Sequence, residues 1–425
     1  MTRSTGSCTQ NFATHSPALT ATLAIAMLFA VVVAWPMAQA QTLATLYNFT
    51  GRADGAYPTA GLTMDQAGNL YGTTSYGGNM EGSPCDGGGC GTVFKLEHRG
   101  SGWVLARLYA FSGPDGNVPQ TRVIFGPDGN LYGTTTYGGS SGDGVVFRLQ
   151  PPASICKTTL CPWTETVLHS FTGVGNGANP TYGDLAFDRA GNIYGTTPAG
   201  GDPICKCGVV YELTPSNGGW IETVLHTFHD LNGEGASPYA GVIFDRAGNL
   251  YGTTVYGGRL SGYTGFGTIY RLAPSEGSWT ENVIYAFTGG NDGKLPFGGL
   301  IFDSSGNLYG ATSCLTGPPC TAYELSPSNG GWTFSLLYTF NDVYEGSVAA
   351  PTMDPGGNLY GTLTLANQDV FRLTSSGGQW TLTGFNFLGD DFPSGNVILD
   401  AIGNVYTTTE DGGNHSEGSI FEITP

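Results

Sequence analysis

The sequence predicts an all-β fold: a seven-bladed β-propeller of four-stranded blades, closed into a ring by pairing of the N-terminal strand with the last blade. Three observations predict it. A glycine–asparagine–aliphatic–tyrosine core occurs seven times, with its asparagine at Asn69, Asn130, Asn192, Asn249, Asn307, Asn358 and Asn404. The spacings of 61, 62, 57, 58, 51 and 46 residues are the size of one four-stranded blade with its loops. The 69 glycines and 12% aromatic residues describe many tight turns between half-buried strands, whereas disordered chains lack aromatics. The third observation is an offset strand count, which appears when the elements are taken in order.

Residues 1–40 are distinct from the rest. Arg3 is their only charge, and the apolar run Ala18–Trp35 leads into Ala38-Gln39-Ala40. A small-x-small triplet after an apolar core predicts a secretory signal cleaved before Gln41. Membrane attachment is expected only if that segment stays uncleaved, since the run is nearly long enough to span. The single propeller domain is then 41–425.

Within it each unit decomposes in the same way. An apolar run such as Val242–Asp245 forms the first strand, expected to be buried on both faces. A turn follows in which glycine supplies the left-handed backbone and Asp and Asn bond locally. Asn249–Thr254 forms the second strand, with β-favouring Tyr and Thr. A loop around paired glycines leads to the third strand, Gly267–Leu272, and a Trp-led fourth strand covers Trp279–Phe287. Third strands occur seven times, the last at Gly418–Ile423, but only six are followed by a fourth strand. One orphan of the fourth type stands at Thr42–Phe49. A linear array would leave it as an exposed edge, whereas a closed ring lets it complete the last blade.

The chain carries 15 Lys plus Arg against 33 Asp plus Glu, a net charge of −18, or −19 once Arg3 is removed with the signal. Phosphate repels such a chain, so nucleic acid is excluded as a partner. Eight cysteines follow residue 41 in close pairs, Cys85/Cys90, Cys156/Cys161, Cys205/Cys207 and Cys314/Cys320. An even count in an exported chain predicts disulfides and a secreted or periplasmic location, although spacing alone leaves the connectivity open. Zinc-ligand spacing is lacking, and no metal or cofactor is expected.

Chemistry is sought where the repeats disagree. If the first strands line the axis, loops before the first and after the second strand share one face, the top. Long, variable loops gather there, among them Ser75–Cys90, Val255–Phe266 and His229–Ala240. Aligning the units on the first strand puts Gly61, Arg122, Asp184, Gly241, Gly299, Ala350 and Asn396 at the strand's entry. Arg122, Asp184 and Asn396 would converge near the axis, either to bind a small polar ligand or as repeat drift with an Arg–Asp pair between adjacent blades. Tyr76, Tyr137 and Tyr256 follow the second strand, where their rings could stack on a ligand or pack the seams between blades. The acidic loops Thr50–Pro58, Ser112–Pro119 and Thr288–Pro296 lack EF-hand spacing and are expected to be turns. His169 and His226 fill the place held by Tyr109, Tyr285 and Tyr338 elsewhere. The remaining His98, His229 and His415 are dispersed, and no HExxH, GxSxG or P-loop occurs.

The NLYGTT…YGG…GTVFKL pattern of Asn69–Leu96 and its repeats resembles the GloVer tandem-repeat family of exported bacterial proteins. The blade phasing is similar to that of NHL and SMP-30-type propellers. The first resemblance implies the fold without an activity. The second implies that a lactonase would need a set of axial carboxylate and amide metal ligands, for which only Asp184 and Asn396 are suitable. The expectation is therefore an exported, monomeric ligand- or partner-binding module acting through its top face on a glycan, a peptide, a small polar molecule or a protein. An extracytoplasmic hydrolase, lactonase or lyase with an axial polar site is the alternative, and a purely structural envelope module is the third.

Overall fold

Every residue of the repeated motif has a local job, beginning with the aspartate. In the computed structural model, which describes residues 1, 6, 41–80, 85, 87–153, 163–258, 265–314, 316–317, 319–340, 350–363, 370–385 and 393–424, Asp245 closes the turn after the first strand. Its carboxylate accepts from the backbone N–H of Ala247 at 2.8 Å and of Asn249 at 2.9 Å, from Asn249 Nδ2 at 2.6 Å and from the Tyr251 hydroxyl at 3.2 Å. Gly248 turns the corner at φ +86°, a backbone that a side chain would strain. Asp65, Asp188, Asp303, Asp354 and Asp400 each bind the Asn and Tyr of their own turns in this way. In the second blade Gly126 stands at that position, and Asp128, two residues later, takes over Asn130 and Tyr132. Burial pushes the Asp65, Asp128, Asp245 and Asp354 carboxyls up, but hydrogen bonds from these partners outweigh it and hold them below their usual range.

The second strand divides its duties by residue. Glycine at Gly72 and Gly133 lets a third-strand ring lie flat on the sheet, since a Cβ there would come within 2.6 Å of Phe94 and 2.7 Å of Phe147. The first threonine reaches the neighbouring blade. Thr73 donates to Thr121 O at 3.1 Å, Thr196 to Ala240 O at 2.9 Å, Thr253 to Gly298 O at 3.2 Å and Thr362 to Gly395 O at 3.1 Å. The second threonine stays at home, as in Thr74 to Tyr76 O at 2.9 Å and Thr254 to Tyr256 O at 3.0 Å. Tyr71 and Tyr251 also cross the seam, edge-on to Phe125 at 5.1 Å and to Phe302 at 5.2 Å. Polar satisfaction and apolar burial thus act at the same boundary between blades.

These units give seven four-stranded antiparallel sheets among the described residues, six of them meanders and the seventh completed by the N-terminal strand. One blade runs Ile243–Phe244, Leu250–Thr254, Thr268–Ser275 and Ser278–Ala286 from the inside outward. The first strands are only two residues long and half-buried, not covered on both faces as their apolar sequence suggests, because one face is turned to the axial cavity described below. The ring closes as the strand count predicts. Thr42–Asn48 pairs with Ser419–Thr424, from Thr42 opposite Thr424 to Asn48 opposite Ser419. The Thr408 hydroxyl donates to Ala60 O at 2.9 Å across the same closure. Phe49 is fully buried there and meets Phe94 edge-on at 5.3 Å. Thr42–Thr424 is one compact unit.

The acidic loops are turns. Asp54 accepts from Thr50 N at 2.9 Å and the Tyr47 hydroxyl at 3.0 Å, and Asp292 from Thr288 N at 2.8 Å and the Tyr285 hydroxyl at 3.0 Å. His169 and His226 stand in the tyrosine's place, edge-on to Phe171 at 4.8 Å and Phe228 at 4.7 Å, as Tyr109 is to Phe111 at 5.2 Å. Disulfides join Cys85 to Cys90, Cys205 to Cys207 and Cys314 to Cys320. Cys156 and Cys161 lie outside the described residues.

Candidate functional site: the mouth of the axial cavity

Each first strand is entered through a short connector, and the connectors make the top of the axis. In six of them a proline (Pro58, Pro119, Pro180, Pro238, Pro296 or Pro393) precedes the strand-entry residue. Together the seven strand-entry residues line a single cavity of about 890 Å³. Their frequent smallness has a steric cause. A Cβ on Gly241 would fall 2.1 Å from the carbonyl oxygen of Asp184, and one on Gly61 would fall 3.0 Å from the Asn396 nitrogen. At these two positions the neighbouring blade crowds out a side chain, whereas a Cβ on Gly299 would meet nothing nearer than Ala350 at 3.4 Å.

Arg122 and Asp184, from the second and third blades, form an ion pair at 2.5 Å, with 28% and 25% of their side chains exposed. The Arg122 Nε is buried and has no hydrogen-bond partner. Gln120 braces the same boundary: its Oε1 accepts from the hydroxyls of Thr136 and Thr181, each at 3.0 Å. Asn396 adds a half-buried amide from the seventh blade. The structure therefore brings all three polar strand-entry residues to one cavity and pairs two of them.

The rim tyrosines divide. Tyr76 and Tyr137 are exposed, and Tyr76 lies edge-on to Tyr57 at 5.8 Å. Tyr256 instead packs on a core cluster containing Val242 and Tyr270, with its backbone paired to Ala236.

Other lining residues escape an alignment on the strands. Five connectors place the strand-entry residue three positions after the proline, whereas the third blade places Asp184 four after Pro180. The added residue leaves Tyr182 at φ +58° and 49% exposed in the cavity wall. A bulky side chain in the left-handed region is strained and uncommon. Its ring lies 6.4 Å from Tyr239, which lies 4.8 Å from Phe297, so the third to fifth blades carry an aromatic arc. Glu410, from the seventh blade, also lines the cavity. Burial and then Asp411 push its carboxyl above the usual range. Burial, followed by Glu410, Tyr239, Tyr137 and Tyr76, raises the Tyr182 hydroxyl. The one-residue insertion was the visible signal for Tyr182; Glu410 had none, because it follows the second strand at a place where the repeats vary. Among the described residues, no group of three or more His, Cys, Asp or Glu is gathered for a metal ion.

The solved structures that this chain is similar to include a gluconolactonase from Xanthomonas campestris, at 15% identity over 69% of this chain and 82% of that one, with a TM-score of 0.40. A glucose dehydrogenase matches at 14% over 90% and 99%, with a TM-score of 0.43, and a luciferin-regenerating enzyme at 12% over 91% and 96%, with a TM-score of 0.42. None of the curated proteins matches the sequence. The Gloeobacter/Verrucomicrobia repeat matches residues 30–166, 87–317 and 155–369. Those segments cover most of the chain, seams and connectors included, and the protein belongs to the Gloeobacter/Verrucomicrobia repeat family.

Proposed function

We propose that the protein is an exported propeller that holds a small polar ligand at the top of its axis, as a binding module without catalysis of its own. The observation that carries this reading is the axial cavity of about 890 Å³, lined by an ion pair from two blades and an amide from a third. The size is that of a small-molecule site, and mixed apolar and polar lining is what such sites have. The three disulfides fit an oxidising compartment, which agrees with removal of residues 1–40 during export. Exposed Tyr76 and Tyr137 extend the contact surface outward for larger ligands.

The test is a thermal-shift and calorimetric screen of neutral, anionic and cationic small molecules on wild type and Asp184→Ala. A ligand whose stabilisation disappears in Asp184→Ala supports the reading, and the absence of any Asp184-dependent shift refutes it. Sugar lactones are included with a hydrolysis readout. Turnover lost in Asp184→Ala would refute the non-catalytic part and favour the hydrolase alternative.

A further inference from the structure

We propose that the cavity mouth is a seat for an organic cation, an ammonium or guanidinium group lodged between the ring of Tyr182 and the carboxylate of Glu410. This rests on the axial-site reading above and names its ligand class. Charge bookkeeping in the cavity wall comes first. Arg122 is already neutralised by Asp184, which leaves Glu410 as an uncompensated charge on the lining. Among the described residues Glu410 has no ion-pair partner, and its neighbour Asp411 adds to the negative potential rather than relieving it. The other titratable groups near it, Tyr57 and Tyr182, carry no positive charge.

Geometry comes second. The inserted residue of the third connector holds Tyr182 in a left-handed backbone, half-exposed and lining the cavity. Left-handed non-glycine residues recur in the connectors, at Tyr57, Val118, Asn179, Ser237 and Leu295, so what sets Tyr182 apart is its place in the cavity wall. Tyr239 and Phe297 continue the aromatic wall behind it. A cation placed over a tyrosine face is attracted by the ring quadrupole, and more so where water is partly excluded. A nearby carboxylate adds a direct charge pair. The same carboxylate repels anions, and a direct charge pair with a cation outweighs the hydrogen bond it could accept from a neutral hydroxyl, so the arrangement selects for positive charge. The chain's net charge of −18 draws such a ligand in at long range.

Titration calorimetry on the intact chain, with tetramethylammonium, agmatine and spermidine as cationic probes and glucose and gluconate as controls, tests this. At least one cation is expected to bind and both controls to bind at least about tenfold more weakly. Glu410→Gln and Tyr182→Leu should each weaken the cation by about tenfold without lowering the melting temperature, and Tyr182→Phe should retain binding. Raising salt should weaken binding in wild type and have much less effect in Glu410→Gln. Cation binding that is indifferent to Glu410→Gln overturns the inference. Asp184-dependent binding of glucose or gluconate with no cation bound also overturns it but leaves the axial-site reading standing. Failure of every probe to bind removes both.

Discussion

Glu165→Gln is expected to stabilise the protein at alkaline pH and to do nothing in acid. Glu165 sits on the fourth strand of the second blade, at the seam with the first, where its Oε1 is buried without a partner. Burial, and then the charge of Asp115, pushes its carboxyl up from 4.5 to about 7. A carboxyl raised in the folded state contributes full stability below its unfolded pKa, and that contribution is lost as pH rises through the folded value. At about 1.4 kcal/mol per pH unit, ionisation costs the fold about 3 kcal/mol above pH 8. Glutamine keeps the shape and cannot ionise. An unfolding entropy of about 2.1 cal/mol/K per residue, over roughly 380 residues, converts 3 kcal/mol into about 4 °C of Tm. The assay is thermal denaturation of wild type and variant at pH 4.5 and pH 8.5, with urea titrations alongside. The difference should appear at pH 8.5 only. A gain of equal size at both pH values, or none at pH 8.5, would refute the account of a buried, unpaired carboxyl. Glu222→Gln, at the next seam and also raised to about 7 by burial, should repeat the pattern.

Three further outcomes follow from the scaffold. Phe49→Ala should cost about 3–5 kcal/mol, because the side chain is fully buried at the closure, and deletion of residues 41–50 should abolish folding or monodispersity. Unchanged melting and elution of the deletion variant would sink the closed ring. Asp245→Ala should cost about 1–3 kcal/mol at pH 7 by leaving the turn's donors unpaired, and less as pH falls through the depressed folded pKa, where wild type loses the same bonds. Denaturation across pH 2–7 reads the convergence. Thr253→Val should cost about 1–2 kcal/mol through the lost bond to Gly298 O, whereas Thr→Val at an exposed strand position such as Thr280 should be nearly neutral; equal effects would argue against hydroxyls as seam fasteners.

The repeat period, the turn chemistry and the orphan strand were enough to specify the ring, because each is a local preference repeated seven times and closure is forced by counting. Convergence of Arg122, Asp184 and Asn396 on the axis was legible as well, once the strands were aligned, because a propeller sends equivalent positions to equivalent places. Tertiary structure alone decided what those positions do. Arg122 and Asp184 pair with each other, Tyr256 packs on the core while Tyr76 and Tyr137 remain exposed, and Gly241 answers to a neighbouring carbonyl oxygen that a Cβ there would meet at 2.1 Å. Tyr182 and Glu410 meet the same cavity from the third and seventh blades, more than two hundred residues apart in sequence. Periodicity speaks for what the blades share. A site assembled from an insertion in one blade and a variable loop in another depends on distances across the axis, which only the closed ring sets.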